Sequence, residues 1–74
     1  MNTKIILNTT ADAEEFVNAA SMCPGEIDLA SGSVYIDGKS LLGVISMGVK
    51  RELTLTAYNV NEHFEKVVNK FSIA

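Results

Sequence analysis

The apolar residues of this chain change period as it runs, and that change limits the folds open to it. Ala13, Phe16, Val17 and Ala20 fall at helical spacing within TTADAEEFVNAASM (9–22). Thr9, Thr10 or Asp12 suits the cap at the start of that helix. Acidic Asp12, Glu14 and Glu15 match the positive end of its dipole, and Pro24-Gly25 stops it. Phe64, Val67, Val68 and Phe71 repeat the pattern in NVNEHFEKVVNKF (59–71), with Asn59 or Asn61 as cap. Elsewhere the pattern is that of strands. KIIL (4–7) suits a buried strand. Ile27, Leu29, Val34 and Ile36 alternate with more polar neighbours in EIDLA (26–30) and SVYID (33–37), and Ser31-Gly32 reads as the two-residue hairpin turn between them. Leu53, Leu55 and Ala57 alternate with Thr54, Thr56 and Tyr58 in ELTLTAY (52–58). The short apolar segment 40–47 reads as one more helix, beginning at Ser40.

The expected order is therefore β-α-β-β-α-β-α. It implies an α+β fold, an open-faced β-sandwich in which a four-stranded antiparallel sheet carries helices 10–22 and 60–71 on one face and meets solvent on the other. Phe16, Val17, Ile27, Leu29, Val34, Ile36, Leu55, Phe64, Val67 and Phe71 are the expected core. No linker, charge run or repeat divides the sequence, so residues 1–74 read as a single domain.

Composition excludes several functions. An apolar share of 47% with 20% charged residues fits a globular chain. The net charge of −3 supplies no basic stripe, so no nucleic-acid partner is expected. The opening MNTKIILNTT is too weakly apolar for a signal peptide or a membrane span. Cys23 stands alone, which fits a reducing cytoplasm and removes any internal disulfide. No P-loop, dinucleotide or zinc motif occurs, so neither a cofactor nor a metal is expected.

One stretch carries more than fold information. DGKSLLGVISMGV (37–49) sets a Ser behind a Gly and a Lys, then two large apolar residues, a Gly, and a short helical segment ending in Met-Gly. Lys39, Ser40, Leu41, Leu42, Gly43, Val44, Met47 and Gly48 in this pattern, together with the element order, resemble HPr, the histidine-containing phosphocarrier of the bacterial sugar phosphotransferase system. The likeness extends back through EFVNAASMCPGEIDLASGSVYI, where Phe16, Val17, Ala20, Ile27 and Leu29 occupy core positions of that family. The resemblance implies an HPr-like fold, a regulatory serine at Ser40 open to a serine kinase, and a partner-binding surface of Lys39, Leu41, Leu42 and Ile45.

The phosphocarrier site of that family is missing. Thr9 stands where the family has its active His, Ala11 where it has Arg, and Asp12 where it has Pro. Phosphate relay needs an imidazole with a free nitrogen, donors to hold the phosphate and a helix start to stabilise it. A Thr hydroxyl without a base is a far weaker nucleophile, and Asp12 repels phosphate. His63, the only His, lies in the last helix. No catalytic residue is therefore expected, and the chain reads as no enzyme.

Each residue singled out also has a plainer role. Ser40 suits a helix cap whether or not a kinase modifies it. Cys23 reads as a small hydrophobe, His63 as a partly exposed helix residue, and Asp12, Glu14 and Glu15 as a solvated first turn. The apolar residues of 40–47 cannot all point inward from so short a helix, and an outward group of Leu41, Leu42 and Ile45 suits protein docking. The function expected is that of a regulatory or adaptor homologue, with phosphotransferase-system enzymes or a serine kinase as protein partners. The alternatives are a phosphocarrier using a non-standard residue, and a structural scaffold.

Overall fold

The computed structural model of the protein describes residues 1–73. The elements follow the expected order: β1 (Asn2–Ile6), α1 (Thr10–Ser21), β2 (Ile27–Ser31), β3 (Val34–Asp37), α2 (Leu41–Met47), β4 (Glu52–Ala57) and α3 (Glu62–Phe71). The four strands form one antiparallel sheet in the order β1-β4-β2-β3. β4 separates β1 from β2, and β2 separates β3 from β4. Two split β-α-β units thus interlock, one through α1 and one through α2, in an α+β sandwich consistent with the HPr-like fold.

Capping explains where the helices begin. The side chains of Thr9, Ser40 and Asn61 each accept from a backbone N–H three residues on, at Asp12, Gly43 and Phe64. That bond satisfies one of the donors left free at a helix start and is worth about 1 kcal/mol. α1 buries Ala13, Phe16, Val17, Ala19 and Ala20, and α3 buries Phe64, Val67, Val68 and Phe71. Both stripes lie on the inner sheet face formed by Ile5, Ile27, Leu29, Leu53, Leu55 and Ala57. No polar or charged residue is buried among the described residues. The core is held by apolar burial, about 1.5–3 kcal/mol for each large side chain taken from water.

Two expectations are corrected. The hairpin turn is Gly32-Ser33, one residue later than the alternation suggested, because Ser31 pairs with Val34. Gly32 takes φ +60, the conformation a type II′ turn requires at its first central position, so the glycine must open the turn. Val34, expected in the core, is 56% exposed, and Ile36 is only partly buried. The alternation of β3 does turn both toward the helices. Val34, however, flanks the hairpin turn on an edge strand, beyond the cover that α2 supplies.

Candidate functional site

The site begins at the turn between β3 and α2. The Asp37 carboxylate accepts from the Lys39 N–H at 2.9 Å, and the Asp37 carbonyl accepts from the Ser40 N–H at 3.1 Å. Between them Gly38 donates to the Ile27 carbonyl at 2.6 Å. A Cβ at Gly38 would stand 2.6 Å from Ile27 Cγ2, so only glycine lets the turn sit this close to β2. The Asp-Gly pair ahead of the cap is a turn signal readable in the sequence, although Asp37 was not among the expected site residues.

This turn fixes Ser40 at the N-cap of α2. The Ser40 hydroxyl accepts from the Gly43 N–H at 3.2 Å, its carbonyl accepts from the Val44 N–H at 2.9 Å, and the residue is exposed. The Lys39 ammonium, expected on the partner-binding surface, donates to the Cys23 carbonyl at 2.7 Å, where it serves the C-terminal end of α1. At the far end of α2 the Lys50 N–H donates to the Leu7 carbonyl at 2.6 Å, just before α1 begins. α2 thus runs back along α1, with Ser40 near its end and Lys50 near its start.

The apolar residues of α2 divide into two stripes, each at i,i+3 spacing. Val44 and Met47 are buried and Leu41 packs partly against the core, so the first stripe faces inward. Leu42 is 84% exposed and Ile45 37%. The outward surface therefore consists of Leu42 and Ile45, and Leu41 serves the core because it lies one turn from Val44.

At the start of α1, Thr9 and Asp12 cap each other's turn. The Thr9 hydroxyl accepts from the Asp12 N–H at 3.1 Å, while the Asp12 carboxylate accepts from the Asn8 N–H at 3.0 Å. Ala11 is exposed on the first turn and offers no donor. His63 is exposed near the start of α3, and the neighbouring Asn61 amide donates to the Met22 carbonyl at 3.4 Å. That contact places the start of α3 at the C-terminal end of α1. The 12 residues of α1, at about 1.5 Å of rise each, put roughly 18 Å between that end and Thr9. Ser40 and His63 thus gather at one end of α1, and Thr9, Ala11 and Asp12 at the other.

Beneath the Ser40 turn, Pro24, Gly25, Glu26, Ile27, Asp28, Asp37 and Lys39 line an open depression of ≈ 300 Å³. Its lining holds three acidic residues and one Lys whose ammonium is already bonded to a carbonyl, so the depression does not suit an anion. Cys23 is buried, its thiol directed at the Ala19 carbonyl. Comparison of the chain with protein-family models and with curated proteins finds no match.

Proposed function

We propose that this chain is an HPr-like regulatory or adaptor protein of the bacterial cytoplasm, related to the phosphoenolpyruvate-dependent sugar phosphotransferase system. It acts by binding, relays no phosphate through His, and carries Ser40 as its modification site. The observation that carries this reading is the pairing, on one short helix, of an exposed cap hydroxyl with an apolar side chain, Leu42, that is 84% exposed. Large apolar residues held outward beside a modifiable hydroxyl suit a docking surface whose partner choice a charge can change. Phosphotransferase-system enzymes and a serine kinase are the partners the reading names.

Two parallel incubations test it, each followed by intact mass. With phosphoenolpyruvate and the first enzyme of a bacterial phosphotransferase system, no phosphate is expected on the chain. With ATP and an HPr serine kinase, an acid-stable phosphate is expected, and Ser40→Ala should lose it. An acid-labile phosphate mapped to His63 would make the chain a phosphocarrier instead. Absence of both phosphates, with no binding to either enzyme, would leave a scaffold.

A further inference from the structure

The two edges of the sheet are treated differently. Along β1 the end of the chain returns: the Ile73 N–H donates to the Lys4 carbonyl at 3.0 Å, and Ser72 bridges Ile5. No described residue pairs with the outer side of β3. The ladder shows which groups that edge presents. Gly38 bonds to Ile27, and bonded positions recur at every second residue of an antiparallel pair, so Ile36 and Val34 bond inward to β2. Tyr35 and Asp37 therefore turn their N–H groups outward. Sheet edges are commonly blunted by short strands, charged side chains (Lys above all), Pro, a bulge or a covering segment. β3 is short and ends in the charged Asp37, but it has no Lys, no Pro, no covering segment among the described residues and an unbroken register, while Val34 is 56% exposed and Tyr35 73%.

We propose that this edge pairs antiparallel with the same edge of a second copy of the chain, Tyr35 opposite Tyr35, doubling the four-stranded sheet about a twofold axis. A twofold pairing must join residues whose backbone groups point outward, and the register centred on Tyr35 joins Tyr35 to itself and Asp37 to Ser33. The same register lays Val34 against Ile36 of the second copy on the helix-bearing face, covering the apolar residue the monomer leaves open. It also keeps the two Asp37 carboxylates four residue steps apart along the strands, about 14 Å. Moving the centre one residue toward Asp37 brings them within about 7 Å, where like charges repel. Moving it one residue the other way sets Gly32 opposite Ile36 and leaves the Asp37 N–H unpaired. The interface uses no part of the Ser40–Ile45 surface, so it stands or falls apart from the proposed docking function.

A four-residue edge makes a small contact, so sedimentation velocity is read across roughly 10 µM to 1 mM, where such contacts associate. The expected result is a weight-average mass rising from 8.0 kDa toward twice that value, with Tyr35 and Asp37 amide signals shifting as it rises. Tyr35→Lys and Val34→Lys, both at exposed positions, should weaken association by about tenfold or more with an unchanged circular-dichroism spectrum. Leu42→Asp should leave association as it is. A mass of 8.0 kDa throughout the range would overturn the proposal. So would an association that Leu42→Asp removes and Tyr35→Lys spares, or Tyr35 and Asp37 shifts that appear only when an unrelated extended peptide is added.

Discussion

The Lys39 ammonium donates to the Cys23 carbonyl at 2.7 Å, which ties the residue before Ser40 to the end of α1. Replacing it by Met keeps the apolar stem and removes the donor. Lys39→Met should cost about 1 kcal/mol, the net worth of such a bond where water can partly replace it. A urea titration reads the loss, and faster amide exchange in the first turn of α2 should accompany it. An unchanged midpoint would mean that the Asp37 turn alone holds Ser40 in place.

Phe16 of α1 and Phe64 of α3 meet edge to face, their ring centroids 5.5 Å apart at 61°, and both are fully buried. Truncating Phe64 removes this contact and leaves a cavity between the two long helices. Phe64→Ala should therefore cost about 3–5 kcal/mol and can unfold so small a domain outright. A loss below about 1 kcal/mol in urea would contradict the packing of α3 on α1.

Asp28 and Asp37 stand directly opposite in the β2–β3 ladder, both exposed. Like charges at such positions destabilise a sheet by about 0.2–1 kcal/mol. Asp28→Asn, which removes one charge with little change of shape, should raise the unfolding free energy by that amount at low salt, read as a higher urea midpoint. The gain should shrink as salt screens the pair. A loss of stability would show that the carboxylate of Asp28 does something beyond repelling Asp37.

The two long helices and the strand faces were legible because each buries a continuous stripe, and burial writes a period into the residues. Phe64, Val67, Val68 and Phe71 required no tertiary knowledge to place. Val34 was misread for a tertiary reason: alternation reports which face a residue takes, while its cover depends on how far α2 reaches over the sheet edge. The turn slipped by one residue because Ser31-Gly32 and Gly32-Ser33 both fit the spacing, and only the positive φ of Gly32 decides between them. At the candidate site, the cap at Ser40 and the short helix after it were readable from local chemistry. The division of Leu41 from Leu42 was misread: Leu41 was expected outward with Leu42 and Ile45, although its i,i+3 spacing to Val44 and Met47 puts it on the inward stripe. The engagement of Lys39 with a carbonyl 16 residues earlier was not readable, because no local pattern records a contact between two distant turns.

The docking role proposed for α2 is tested most directly by titrating the nitrogen-labelled chain with the first phosphotransferase enzyme and with an HPr serine kinase, following amide shifts in the wild type and in Leu42→Asp. The expected shifts centre on Ser40, Leu42 and Ile45. Leu42→Asp should remove about 2 kcal/mol or more of the binding energy, as loss of a central apolar anchor does. Its unfolding free energy should change by less than about 0.5 kcal/mol, because the side chain is 84% exposed. Shifts confined to Thr9, Ala11 and the start of α1, or binding that Leu42→Asp leaves intact, would contradict the role assigned to this helix.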